Sequence, residues 1–472
     1  MIEFFPEKVL CISGKSNFAA LKGAFVLSHR VSVSYRAILA LAAPVSLSLF
    51  LPQISFFTNT AFLGQLGERE LGVNGVAGIF FLLLQMIGYG FATGLQTQLS
   101  RRSGEVAPEL LGKTLANGFW MSGLLSLLLF GLAFVLAPLV FVAGMKDPEH
   151  QRLATAFLQV RMLGLVPLLL LQVLQAFFLA TGQTRILVIG SAVLVTTNVV
   201  FDYLLIFGKG GFPRMGLNGA ALASALAEVA ELLTLTLLFI VGKQHRRYRL
   251  SKASFRPDAG LMRHSLSVGS PLMVQYAFSI GGWEVFFLMI EHLGTRALAA
   301  SQILRSVFGL LGMTTWAFSA VTSSMVSNLM GQNRESEVML LIRKIATISF
   351  SLTASLVALL LLFGRSFLSL YRDDPALISY AMPSLYVIVV AALVLSLATV
   401  YFNGVVGTGN TRISMFIEVG CVCSYLLYCY FVVSRPGIPL HLAWGAEFVY
   451  WGSLLTVSLI YMLRGRWRGK VI

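Results

Sequence analysis

The chain contains twelve stretches of about 20 or more mostly apolar residues, and this feature restricts its fold more than any other. As an α-helix, such a stretch spans the ~30 Å hydrocarbon core of a bilayer and satisfies its own backbone hydrogen bonds there. Apolar residues make up 57% of the sequence and charged residues 12%, a balance far from that of soluble domains. The sequence therefore predicts an all-α integral membrane protein. The predicted spans are 37–65, 73–101, 114–141, 157–181, 184–207, 216–241, 264–292, 298–329, 342–363, 378–407, 412–434 and 440–463.

Polar segments divide these spans into two groups of six. Residues 1–36 form a basic N-terminal arm, and residues 464–472 form a basic tail. The longest polar segment between spans, residues 242–263, separates 37–241 from 264–463. We interpret these two ranges as an N-terminal and a C-terminal lobe of six helices each, joined by a cytoplasmic linker.

The formal net charge of +15 is unevenly distributed. Segments on the side of the predicted membrane that carries both termini hold 24 Lys and Arg residues, whereas the opposite loops hold 9. Because cytoplasmic loops are enriched in Lys and Arg, this asymmetry predicts that both termini are cytoplasmic. It also indicates contact with anionic lipid, and it argues against nucleic acid as a partner because the basic residues mark orientation.

The two lobes are sequence repeats of each other, related by one constant offset in residue number. The pairs at this offset include Pro44 and Pro271, Gly104 and Gly331, and the motifs TGQTRI at 181–186 and TGNTRI at 408–413. Because six helices is an even number, the two copies have the same orientation in the membrane. The sequence therefore predicts two six-helix lobes related by a parallel internal repeat, a plan found in transporters whose halves rock around a central cavity.

Asp202 lies in the middle of a predicted span, where a charge costs roughly 2.5–3.5 kcal/mol to insert. Asn198 is four residues earlier and shares its helix face, as Ser224 and Glu228 share a face of the next span. Together these oxygens suit a hard cation or a proton. Two structural alternatives stay open: Asn198 could form an interhelical hydrogen bond, and Asp202 could pair with Arg161.

Two segments resemble the multidrug and toxic compound extrusion (MATE) family, and more closely its DinF-like branch. The first is PVSLSLFLPQISFFTNTAFLGQLGERELG, in which Pro44 stands fifteen residues before Asn59. The second is TGQTRI, followed in the fifth and sixth spans by TNVVFDYLLIFGKGGFPRMGLNGAALAS. The resemblance covers roughly residues 37–465. It implies an antiporter that expels amphipathic or cationic compounds in exchange for protons or Na⁺. We expect a monomer in the bacterial inner membrane, with no cofactor besides the coupling ion.

The resemblance also implies a cation site in the N-terminal lobe. Members of this branch use a carboxylate on helix one, an Asn and an Asp one turn apart on helix five, and a small hydroxyl on helix six. The corresponding residues are Asn59, Asn198, Asp202 and Ser224. Asn59 departs from the pattern, since the family's DTAFLG is NTAFLG here, so that one of two carboxylates is missing. We favour a proton bound at Asp202 over Na⁺, with Glu228 as a candidate for the second charge.

Other polar side chains in the predicted spans are candidates for lining a substrate cavity. They are Gln53, Gln275, Glu284 and Glu418. For Gln275 and Glu418, polar contacts between packed helices are an alternative role. In the first helix, Pro44 interrupts the hydrogen-bond ladder and makes a kink possible.

Two further functions stay open, whereas enzymatic activity is not expected. A flippase for a lipid-linked saccharide would need a cationic cavity for a pyrophosphate, which Arg161 and Arg305 could supply. A non-transporting receptor or scaffold is favoured only by the missing helix-one carboxylate. The segment GEVAPELLGKT has seven residues between its glycines where a P-loop has four, and the sequence pairs no nucleophile with a base.

Overall fold

The structure of the protein is a computed structural model. It describes residues 31–144, 147–369, 374–435 and 437–469. Most of the predicted N-terminal arm, residues 1–30, and the end of the predicted tail, residues 470–472, lie outside the described residues.

Twelve helices in the described part of the chain are long and apolar enough to cross a membrane, which confirms the predicted all-α, twelve-helix architecture. These helices are α1 (Tyr35–Leu66), α2 (Gly72–Gly104), α3 (Pro108–Val142), α4 (Pro148–Ala180), α5 (Arg185–Phe207), α6 (Leu217–Val241), α7 (Ala259–Glu291), α8 (Thr295–Gly331), α9 (Glu335–Ser369), α10 (Pro375–Gly407), α11 (Thr411–Val433) and α12 (Leu440–Leu463). Between α6 and α7, the linker forms a short helix, Gln244–Arg247, and a 3-10 turn, Lys252–Phe255.

Several helices begin earlier than the predicted spans. α3 begins at Pro108 rather than at residue 114, and α4 begins at Pro148 rather than at residue 157. The additional first turn of α4 is capped by the side chain of Asp147, which accepts a hydrogen bond from the backbone N–H of Glu149 at 2.9 Å. The capped first turn of α4 thus lies outside the apolar stretch, where hydropathy alone does not detect it.

The repeated motif forms the same turn in both lobes. Gly182 in TGQTRI and Gly409 in TGNTRI have φ angles of 72° and 87°, in the left-handed region that glycine adopts without strain. These turns join α4 to α5 and α10 to α11. The two copies of the motif thus correspond to equivalent backbone geometry in the two lobes.

The two lobes meet at the end of the molecule where α1 begins and α12 ends, which we call the closed end. Helices α2 and α8 cross there at Gly104 and Gly331. A Cβ placed on Gly104 would overlap the carbonyl oxygen of Asn328, and one on Gly331 would overlap the carbonyl oxygen of Arg101. Arg101 and Asn328 are separated by the same offset as the two glycines, so that the crossing is symmetric under the internal repeat.

Polar side chains link the same two helices. The hydroxyls of Ser100 and Ser324 lie 2.9 Å apart, and Ser327 donates a hydrogen bond to the carbonyl oxygen of Thr97 at 2.6 Å. The internal repeat relates these two contacts to each other, because Ser100 corresponds to Ser327 and Thr97 corresponds to Ser324. Buried, reciprocal contacts of this kind hold the lobes together at the closed end.

Candidate functional site

Asp202 is completely buried on α5, and both of its carboxylate oxygens lack a hydrogen-bond partner among the described residues. One turn earlier, Asn198 is also buried, and its Nδ2 donates a hydrogen bond to Oγ of Ser224 on α6 at 3.3 Å. The two helices approach closely because Gly219 faces the backbone of Leu205 with no side chain between them. The structure therefore brings together three of the predicted site residues.

Asn59 on α1 lies at the level of Asp202. Its neighbour one turn later, Phe62, contacts the rings of Tyr203 and Phe207 at centroid distances of 6.5 and 5.6 Å. Because α1 and α5 run in the same direction, Asn59, three positions before Phe62, lies at about the same height along the helices as Asp202. Asn59 is partly buried there.

Glu228 shares a face of α6 with Ser224, but its carboxylate is paired with Arg161 on α4. Arg161 donates from Nη1 to Oε2 of Glu228 at 2.9 Å and from Nη2 to Oε1, and its guanidinium lies 3.8 Å from the ring centroid of Phe81. Glu228, the candidate for a second charge, is thus neutralised by Arg161, and its role in the site stays a prediction. The alternative pairing of Arg161 with Asp202 is not formed, since both oxygens of Asp202 lack a partner among the described residues. The opposite charges of Arg161 and Glu228 in two predicted spans could have indicated this ion pair. Nothing in the sequence indicated that Phe81 would contact the guanidinium.

The backbone of α4 is irregular beside this ion pair. The helix tightens into a 3-10 turn at Met162–Gly164, immediately after Arg161. A Cβ on Gly164 would overlap the carboxylate of Glu228. The glycine therefore leaves the space in which the arginine and the glutamate meet.

In the C-terminal lobe, two of the predicted cavity residues are buried among packed helices. Glu418 on α11 accepts a hydrogen bond from the hydroxyl of Tyr450 on α12, which lies 3.3 Å from Oγ of Ser279 on α7. Gln275, one turn before Ser279, is 4% exposed, and its Oε1 lacks a partner in the described part of the chain. For Glu418, this geometry favours the alternative role, a polar contact between packed helices. Nothing in the sequence predicted that Tyr450 would be its partner.

The remaining two cavity candidates are more accessible. Glu284 on α7 accepts a hydrogen bond from Nη2 of Arg305 on α8 at 3.2 Å, and both side chains are partly exposed. Gln53 on α1 is partly buried. Their assignment to a substrate cavity stays a prediction.

Pro44 lies within α1, where it cannot donate the backbone hydrogen bond of a regular helix. We expect Pro44→Ala to lower the turnover number of transport severalfold while changing the apparent affinity for substrate less, because a more regular helix bends less readily. Pro138→Ala, at the proline within α3, is the matched control. Equal losses in turnover and affinity would indicate a purely structural proline.

Two repeated lobes of six membrane-spanning helices, joined at one end, are the plan of transporters whose halves rock around a central cavity. A model of the MatE family matches residues 44–204 and again residues 271–431, so that the two matches are related by the same offset as the sequence repeat. The chain therefore belongs to the MatE family. Membership confirms the resemblance noted in the sequence, while the DinF-like branch stays a prediction.

Curated relatives carry the description "Probable multidrug resistance protein NorM". The protein of Synechocystis sp. is 27% identical over 448 residues, which cover 91% of this chain and 94% of the relative. The protein of Thermotoga maritima is 23% identical over 440 residues, which cover 93% and 94% of the two chains. This chain is thus similar to these relatives over nearly their whole length, and its twelve candidate spans make it a multi-pass membrane protein.

Solved structures share the fold at low sequence identity. An outward-facing multidrug resistance MATE family transporter has a TM-score of 0.85 and 16% identity, covering 95% of this chain and 99% of that one. A transporter of the MOP superfamily from Pyrococcus furiosus, described as having a binding pocket of reverse polarity, has a TM-score of 0.82 and 15% identity, covering 95% and 97%. These likenesses confirm the two-lobed, twelve-helix architecture.

Proposed function

We propose that the protein is a secondary antiporter that exports amphipathic or cationic compounds in exchange for protons, acting as a monomer. The observation that supports coupling is the completely buried carboxylate of Asp202 without a partner among the described residues. An unpaired ionised carboxylate is costly to bury. The position is therefore suited to a positive charge that arrives from outside the protein, as a proton or, in the alternative, Na⁺.

The neighbouring groups fit this role. Asn198 and Ser224 already hydrogen bond to each other beside Asp202, and their oxygens can accept from a protonated carboxyl or ligate a cation. Glu228 contributes no free charge because Arg161 neutralises it. A single titratable group favours a proton, which needs one acceptor, over Na⁺, which takes several oxygen ligands.

We further propose that the closed end faces the cytoplasm, as the distribution of Lys and Arg predicts. The helix crossing at Gly104 and Gly331 would then seal the cytoplasmic side of the central cavity in this conformation. Export requires the lobes to rock about this contact so that each side opens in turn.

The flippase alternative receives less support. It needs a cavity of net positive charge for a pyrophosphate, but a carboxylate lies beside each arginine, Glu228 beside Arg161 and Glu284 beside Arg305. Paired arginines offer little attraction to an anion, so we favour a cationic substrate. The non-transporting scaffold is less favoured as well, since a scaffold has no need for a buried, unpaired Asp202.

Transport of a fluorescent organic cation into inside-out vesicles tests the proposal. We expect uptake when the vesicle lumen is made acidic and no uptake under an inward or outward Na⁺ gradient alone. Uptake that follows the Na⁺ gradient would replace the proton by Na⁺ as the coupling ion. No uptake under either gradient would contradict the antiporter.

The partly buried position of Asn59 predicts a change in ion preference. We expect Asn59→Asp to make transport respond to a Na⁺ gradient, because a second carboxylate at the level of Asp202 completes an oxygen site for a hard cation. Thr60→Asp, one residue later and about 100° around the helix, is the control for added charge on α1. A Na⁺ response that is absent from both variants would place residue 59 outside the site.

A further inference from the structure

The guanidinium of Arg305 on α8 lies over an edge-to-face pair of rings on α7, those of Trp283 and Phe287, and beside the carboxylate of Glu284. Its Cζ lies 4.6 Å from the ring centroid of Trp283 and 4.8 Å from that of Phe287, and its Nη2 donates to Glu284 at 3.2 Å. We call Trp283, Glu284 and Phe287 the aromatic clamp. Ring faces with an adjacent carboxylate are the groups that recognise organic cations, with tryptophan the best of the rings.

The second intramembrane arginine is held much more firmly. Arg161 donates to both carboxylate oxygens of Glu228, and the two side chains are only 14% and 7% exposed. For Arg305 and Glu284 the exposed fractions are 28% and 19%, with one hydrogen bond between them. A monodentate pair fixes the guanidinium less rigidly than a bidentate one. The Arg305 guanidinium is therefore less firmly fixed than that of Arg161.

Open space adjoins the aromatic clamp. Gly281 lies one turn before Glu284 on α7, and Gly309 lies one turn after Arg305 on α8. A Cβ placed on either glycine would have no heavy atom within 4 Å. Because α7 and α8 are antiparallel, the two glycines lie at the same level, next to the ion pair. The two positions therefore leave open space beside the ion pair.

We propose that the aromatic clamp is a binding site for a planar organic cation, and that Arg305 occupies it in this conformation as an internal substitute for the substrate. This inference rests on the proposed export of cationic compounds. A substrate that displaces Arg305 regains the two ring contacts and the carboxylate, while the arginine side chain moves towards the exposed Gln302 on its own helix face. The site then releases its cation when Arg305 returns.

Direct binding separates this role from a structural ion pair. We expect purified Arg305→Ala protein to bind ethidium at least about fivefold more tightly than the parent, because the competing internal cation is gone. Arg305→Lys keeps a cation and should bind close to the parent affinity. Ethylguanidinium, which matches the end of the deleted side chain, should displace ethidium from Arg305→Ala at a lower concentration than from the parent.

Further variants locate the bound cation. Adding Trp283→Ala or Glu284→Gln to Arg305→Ala should remove the gain in ethidium affinity. Arg161→Ala is the matched control, and it should give no gain because its aromatic and acidic partners are enclosed. Elution of each variant as a single species on gel filtration shows that it is folded.

The outcomes decide between the two proposals. Unchanged or weaker ethidium binding by folded Arg305→Ala would overturn the clamp as a cation site, whatever the transport assay gives. Tighter binding that survives Glu284→Gln would overturn it too. If the parent transports no cation while Arg305→Ala binds ethidium through Trp283 and Glu284, the clamp stands and the proposed export fails.

Discussion

Asp202→Asn is expected to reduce gradient-driven efflux to the level of vesicles without transporter. The substitution preserves the size of the side chain but removes the group proposed to carry the coupling proton. Binding of the exported cation to the purified protein should be retained, since Asp202 belongs to the coupling step. Uptake into inside-out vesicles under an acidic lumen measures the loss, and equilibrium binding of the same cation measures what remains.

Glu231→Gln is the matched control for this experiment. Glu231 is also a buried carboxyl on a helix of the N-terminal lobe, but it accepts a hydrogen bond from Gln175 at 3.1 Å, so its oxygens are not both without a partner. We expect this variant to keep most of its transport. Efflux by Asp202→Asn at the parent rate would remove Asp202 from the mechanism, and equal losses in both variants would indicate a general effect of altered buried carboxyls.

Gly104→Ala and Gly331→Ala are each expected to lower the transport rate about tenfold or more, since a ~1.4 kcal/mol shift between two conformations already changes their ratio tenfold. In each variant the added methyl group would overlap a backbone carbonyl oxygen of the opposite helix. A backbone carbonyl cannot rotate away from the methyl group as a side chain can. The two helices should therefore move apart, which opens the closed end. Labelling of a cysteine placed at the buried Ser327, in a chain without its native cysteines, measures this opening.

Two other helical glycines provide controls for these substitutions. A Cβ on Gly123 in α3 or on Gly420 in α11 would meet no heavy atom within 4 Å. Alanine at either position should leave the transport rate near that of the parent, because alanine also favours the helix. A similar loss in all four variants would mean that helix propensity, and not contact between the lobes, explains the effect.

Hydropathy and internal repetition were sufficient to predict the fold. Each span of the predicted set corresponds to one helix of the structure, because a membrane allows few alternatives to a helix. The constant offset of the repeat predicted the equivalence of Gly104 and Gly331, and the structure places both at one crossing. Helix ends were less predictable, since caps such as Asp147 extend helices beyond the apolar stretch.

The candidate site was predictable only where residues share a helix or a family motif. The i and i+4 spacing placed Asn198 and Asp202 on one face, and Ser224 came from the family pattern. The partner of Glu228 was not predictable in the same way, because Arg161 lies on a third helix and spacing says nothing about rotation between helices. The aromatic rings around Arg161 and Arg305 were hidden among many other phenylalanines and tryptophans that a membrane protein contains.

The most direct test of the coupling role of Asp202 is the release of protons when substrate binds to the purified protein in weakly buffered detergent solution. An antiporter in which Asp202 holds the coupling proton should release about one proton per molecule as a saturating organic cation binds, and Asp202→Asn should release none while still binding it. Glu231→Gln should release as many protons as the parent. Equal proton release by the parent and Asp202→Asn would contradict the assignment of the coupling site to Asp202.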